Sequence, residues 1–169
     1  PNQNHEFLEG DVPYTLNPGG PNHEELSCLI GVYEYFNNLF EHHFPGQEGS
    51  VREKIVAVNE LIAHHEMEIA NPLLDYINSR DDINLIGKNQ ISNKDRAPTI
   101  AFTMNNKSSK ELSSNLVKHG IATRNDNFYA WRCLKALGID VDDGVVRTSM
   151  VHYNTHEDVD NLISALKKI

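Results

Sequence analysis

The sequence has 169 residues, 39% apolar and 23% charged; a globular chain of this length buries roughly 70% of its unfolded surface and needs no metal or disulfide staple to fold. Its 24 acidic residues against 15 basic ones give a net charge of −9, which repels phosphate backbones, and the clusters Lys167-Lys168 and Lys107/Lys110 are too small to reverse that. No apolar run approaches the roughly 18 residues of a membrane span, so neither nucleic acid nor a membrane is an expected partner.

The chain opens on a polar, acidic stretch that is no signal peptide, and with no Met ahead of Pro1 it reads as an internal segment of a longer protein. Residues 1–21 hold four of the seven prolines and the run Asn17-Pro18-Gly19-Gly20-Pro21, which predicts a loop. Leu26, Leu29, Ile30, Tyr33, Phe36 and Phe40 then recur at helical spacing, with Asn22 as N-cap, and Phe44-Pro45-Gly46 ends that helix. A longer helix follows Ser50, its stripe running from Val51 to Ile77 with a kink expected at Pro72. Ile83–Ile86 and Thr99–Thr103 read as strands, and Ser108–His119 as a helix closed by Gly120. Ile121-Ala122-Thr123 reads as a strand, Tyr129–Leu137 as a short helix and Val145–Ser149 as a strand. The last helix opens on Thr155 with Glu157-Asp158 in its first turn. Strands alternating with helices after residue 80 predict an α/β arrangement, a small mixed sheet covered by helices.

Few constellations carry chemistry. His64-His65-Glu66 lacks the second His that a metal-binding HExxH helix needs, since Ile69 stands there, so solvated helical histidines are the expectation. Cys28 and Cys133 form no CxxC pair, which suits a reducing cytoplasm, and buried packing thiols are their commoner fate. Gly19-Gly20-Pro21-Asn22 leading into a helix offers backbone N–H groups to an anion. Arg147 lies among strand formers, where a guanidinium usually needs a partner anion; a ligand, a structural salt bridge and an outward-facing edge position are the alternatives.

Beyond these features, Arg147-Thr148-Ser149 followed by Tyr153-Asn154-Thr155-His156-Glu157-Asp158-Val159-Asp160 resembles the ending of group II cysteine desulfurases and selenocysteine lyases. Gly120-Ile121-Ala122-Thr123-Arg124 resembles the strand before their active-site loop, and Gly19-Gly20-Pro21-Asn22 resembles their Gly-Thr-Pro-Asn turn. The match runs along nearly the whole chain and identifies it as the C-terminal part of a class V aminotransferase, in the cysteine-desulfurase-like branch of fold-type-I pyridoxal phosphate enzymes.

The resemblance implies a tail of the large domain over 1–45 and a small C-terminal domain over 46–169, working as a homodimer with its own large domain. It implies that Arg147 grips the α-carboxylate of an amino-acid substrate, with Arg124, Asn127 and Tyr129 beside it. Gly19, Gly20 and Asn22 would approach the cofactor phosphate, although Gly20 stands in the place of the family's Thr and leaves backbone donors alone. Tyr129 stands where desulfurases carry their persulfide-forming Cys, and Cys133 follows four residues later. The Schiff-base lysine has no counterpart in this chain, so the isolated segment is expected to be inactive. Transamination and epimerisation are the rival reactions, and a non-catalytic domain that kept the fold is the rival class.

Overall fold

Residues 20–90 and 96–169 are described in the computed structural model; Gly19 and nearly all of the expected N-terminal loop lie outside them. The chain divides into two compact units, Pro1–Val58 and Asn59–Ile169.

In the first unit, helix α1 spans His23–His43, and its N-cap is Asn22, whose Oδ1 accepts the Glu25 N–H at 3.1 Å. Helix α2, Val51–Asn78, begins where Glu53 reaches back to the Ser50 N–H (2.8 Å) and hydroxyl (2.7 Å). Phe40 and Val58 are buried. Lys54 stays near by hydrogen-bonding Asn37 at 3.0 Å and lying over the Phe40 ring. Leu26, Leu29, Ile30 and Tyr33 of α1 are exposed.

The second unit begins within α2, which continues through Pro72 as one element. Strands β1 (Ile83–Ile86), β2 (Thr99–Met104), β3 (Arg124–Asp126) and β4 (Val145–Ser149) form a sheet in the order β1-β2-β4-β3. Helices α3 (Ser109–Lys118), α4 (Trp131–Ala136) and α5 (His156–Leu166) complete the unit. The α/β class is as expected, but the expected mixed sheet is antiparallel at every pairing, because β4 enters between β2 and β3 running against both. Ile100, Phe102, Met104 and Val146 turn one face of the sheet into a single core with Ile69, Leu73 and Ile77 of α2, Leu112 and Leu116 of α3, and Leu162 and Leu166 of α5. The alternate residues face away from that core. The register then sets Ile86, Ala101, Arg147 and Arg124 in one row across the other face.

Two expected elements are shifted. The strand expected at Ile121–Thr123 is irregular, and pairing begins only at Arg124. Gly120 (φ +76°) closes α3 in a Schellman turn, in which the Ile121 N–H bonds Leu116 O at 3.1 Å and the Gly120 N–H bonds Val117 O at 3.0 Å. Thr123 is held to Ser113 at 3.0 Å, which keeps the chain against α3 until the next residue. The helix expected from Tyr129 begins instead at Trp131, because Phe128 and Tyr129 adopt φ of +51° and +61°.

Candidate functional site

The outer row of the sheet builds the site. Arg124 and Arg147 are directly paired across β3 and β4, so both side chains leave the same face, roughly 4.5–5.5 Å apart at their Cα atoms. Like charges opposed in this way are unfavourable unless something compensates them. Among the described residues no carboxylate lies within ion-pair distance of either guanidinium. Arg147 is half-buried, and its guanidinium carbon lies 4.1 Å from the centroid of the Phe128 ring. Of the alternatives open to Arg147 from sequence, no structural salt bridge is found among the described residues, and the side chain faces outward, on an inner strand and not at an edge. Ala101, the neighbour of Arg147 on β2, is too small to cover the guanidinium from the other side.

The loop after β3 presents the remaining expected residues. Asn127 holds it from three directions. Its N–H donates to Asp126 Oδ1 (2.6 Å), its Oδ1 accepts the Tyr129 N–H (3.0 Å) and its Nδ2 donates to Val141 O (3.2 Å). With Ala130 N–H bonded to Asn127 O at 2.8 Å, residues 127–130 form a tight turn with positive φ at both central positions. Such turns usually take Asn and Gly; Phe and Tyr each cost roughly 1–3 kcal/mol there. The turn directs Phe128 inward onto Arg147 and leaves Tyr129 fully exposed. The structure thus pairs Arg124 with Arg147 on one patch of sheet, while Asn127 uses its side chain to hold the loop that carries Phe128. Tyr129 stands beyond Phe128 in the same turn, with its phenol in solvent.

The signature ending does two jobs. Arg147 belongs to the arginine face, Thr148 and Ser149 complete β4, and Asn154, Thr155 and Asp158 build the entry to α5. Thr155 Oγ1 accepts the Asp158 N–H while Asp158 Oδ2 accepts the Thr155 N–H at 2.9 Å. Asn154 closes the turn by accepting the Val151 N–H at 2.9 Å, and its carbonyl bonds His65 Nε2 at 2.9 Å. Sequence reasoning missed His65, which is half-buried and tied to this turn, not solvated; its neighbour His64 is exposed beside Glu68 at 3.3 Å. Nothing in the local pattern marks which of two adjacent helical histidines faces inward beyond the helical phase itself. A cavity of about 530 Å³ lies where residues 121–123 diverge from β4, floored by α5, and contains neither arginine.

The Thr155 N–H, and after it the Asn154 amide, hold the Asp158 carboxyl below its ordinary value. A depressed folded-state pKa gives a contribution that is complete above the unfolded value, about 3.9, and is lost as pH falls through the lower folded value. Thermal melts should therefore show Asp158→Asn less stable than the parent chain at pH 7. On acidification below about pH 3.9 the gap should narrow progressively. A gap that keeps the same size throughout would remove this account.

Cys28 and Cys133, expected as packing thiols, are both exposed and free. Cys28 lies on an open stretch of α1, and Cys133 lies on short α4, whose buried residue is Leu134. Among the described residues no three of His, Cys, Asp and Glu gather as metal ligands. No described helix is long and apolar enough to cross a membrane.

Pyridoxal phosphate, as the resemblance implies it, would need a phosphate cradle and a lysine. Gly20 is exposed, and a Cβ there would meet nothing within 4 Å. Asn22 spends its side chain on the Glu25 N–H, and Glu24 and Glu25 add negative charge to the turn a phosphate would face. None of the described lysines is buried, and Lys54 is bonded to Asn37. These residues alone do not make a cofactor site.

An aminotransferase-like protein of Gibberella zeae is 36% identical over 113 residues, 65% of this chain and 28% of its own length. A cysteine desulfurase of Escherichia coli is 29% identical over 158 residues, 94% of this chain and 32% of its own. The chain therefore spans about a third of these curated relatives. In structure, a crystallised Escherichia coli cysteine desulfurase superposes with a TM-score of 0.66 at 21% identity, over 92% of this chain and 32% of its own. The apo cysteine desulfurase of Thermococcus onnurineus gives 0.57 at 20% identity, over 70% and 29%. Likeness at these identities establishes a shared fold. The class-V aminotransferase profile matches residues 56–162, the stretch that carries Arg124, Asn127, Tyr129 and Arg147. By that match, and with the arginine face inside it, the chain belongs to the class-V aminotransferase family.

Proposed function

We propose that this chain is the substrate-recognising C-terminal portion of a cysteine-desulfurase-like, pyridoxal-phosphate-dependent enzyme that acts on an amino acid. The observation that carries the reading is the pair Arg124 and Arg147, opposed on one sheet face with no carboxylate among the described residues to neutralise them. Arg147 offers a planar fork for the substrate's α-carboxylate, and Asn127 fixes the loop that borders it. Holding the carboxylate there orients the substrate's α-bonds, which is the contribution this chain makes to rate. Pyridoxal phosphate, when bound, supplies the electron sink at the α-carbon. The lysine that anchors it belongs to a large domain outside this chain, so the segment alone is inactive. A cytoplasmic homodimer, in which Gly20 and Asn22 approach the partner's cofactor phosphate, completes the reading.

Tyr129 favours a reaction other than sulfur transfer, since a phenol at the position of the Cys cannot carry a persulfide. The test uses the full-length, cofactor-loaded protein and its visible absorbance. L-alanine and L-cysteine should perturb the spectrum, whereas ethylamine, the same amine without a carboxylate, should not. Alkylation after exposure to L-cysteine should trap no persulfide on Cys133. A full-length protein that retains no cofactor at all would favour the non-catalytic domain instead.

A further inference from the structure

The turn at residues 127–130 is costly for its sequence. Two successive non-glycine residues at φ +51° and +61° could be relieved by the Asn and Gly that such turns ordinarily carry. Strained positions of this kind cluster at functional sites, so where the turn sends its side chains bears on function. Tyr129 points to solvent, but Phe128 does not: it is half-buried, with its ring 4.1 Å from the Arg147 guanidinium carbon. The turn cannot relax easily, because Asn127 ties it to Val141 O and to the Tyr129 N–H.

Resting on the substrate-site reading above, we infer that Phe128 is a positioning residue. Its ring covers one face of the Arg147 guanidinium and leaves the in-plane N–H fork as the open approach for a carboxylate. Three features of the site converge on this role. A guanidinium binds carboxylates through its edge and aromatic rings through its face, so both partners are held at once without competition. The ring's negative face also offsets the repulsion from Arg124 directly across the strand pair. Finally, Ala101 leaves the opposite side of Arg147 without a bulky neighbour, so Phe128 is what restrains the plane of the fork.

The test compares Phe128→Leu, which keeps bulk and removes the ring, with Phe128→Tyr, which keeps the ring. In full-length protein labelled with 15N-arginine, the Arg147 side-chain signal, assigned by its loss in Arg147→Lys, should be displaced upfield by the ring current. Phe128→Leu should abolish that displacement and Phe128→Tyr should preserve it. In the cofactor-loaded protein, Phe128→Leu should raise the apparent Kd for L-alanine and L-cysteine about threefold to thirtyfold. Phe128→Tyr should stay within about twofold of the parent. An Arg147 signal with no upfield displacement in the parent protein overturns the role, as does a Phe128→Leu variant that loses the displacement but binds both amino acids unchanged. A parent protein with the displacement intact that binds neither amino acid overturns the substrate-site reading, and the positioning role falls with it.

Discussion

Replacing Arg147 by alanine is expected to lower kcat/KM of the full-length enzyme by about 30-fold to several thousand-fold. Removing one partner of a desolvated carboxylate–guanidinium pair costs roughly 2–5 kcal/mol, at about 1.4 kcal/mol per decade. Arg147→Lys should recover only part of the loss, because a point charge replaces a planar fork and stacks poorly on Phe128. The cofactor's own absorbance should hardly change, because the proposed role of Arg147 is to hold substrate and not the cofactor. A structural Arg147 would behave in the opposite way, lowering thermal stability while the surviving enzyme kept near-normal kinetics. The structure argues against that outcome. No described carboxylate pairs with Arg147, so truncation strands no buried anion and the stability lost is that of one ring contact, about 0.5–2 kcal/mol.

Arg147 could be singled out in the sequence because a cation inside Val145-Val146-Arg147-Thr148-Ser149 contradicts its surroundings. The structure answers that contradiction with an outward-facing position between two buried neighbours, Val146 and Thr148. The helix ends were equally legible: Asn22, Gly120 and Thr155 are local devices, readable from a few adjacent residues, and each caps where expected. What escaped was non-local. Ile121 spends its N–H on the turn that ends α3, and Thr123 is pulled toward Ser113, so a run of strand formers does not pair. Phe128 and Tyr129 have no helical or turn signature of their own. Their backbone is dictated by the Asn127 clamp on Val141, fourteen residues away, and by Arg147 beneath the ring. The Arg124–Arg147 pairing depends on strand order, which a β3 of only three residues does not announce.

The second large effect is expected at Gly144, which belongs to none of the motifs read from the sequence. It sits at φ +71° just before β4, and a Cβ there would come 2.2 Å from the Asp126 carbonyl carbon and 2.6 Å from the Asn127 nitrogen. Left-handed backbone costs an alanine roughly 1–2 kcal/mol, and forcing a methyl into a filled space adds roughly 1–3 kcal/mol. Gly144→Ala should therefore lose about 2–5 kcal/mol, a large share of the 5–15 kcal/mol that holds a typical domain together. Gly120 and Gly138 make the comparison decisive. Their φ values are +76° and +71°, but a Cβ at either meets nothing within 4 Å, so their alanine variants should lose only the backbone part, about 1–2 kcal/mol. Denaturant unfolding of the three variants checks the order, and equal losses at all three would remove the close approach from the account. The distinction bears on the site as well. The backbone that Gly144 admits is that of Asp126 and Asn127, the base of the turn that sets Phe128 over Arg147. A Gly144→Ala protein that still folds should lose the ring-current displacement of Arg147, and Gly120→Ala should keep it. That difference would tie the packing of one buried glycine to the orientation of a guanidinium three residues along the chain.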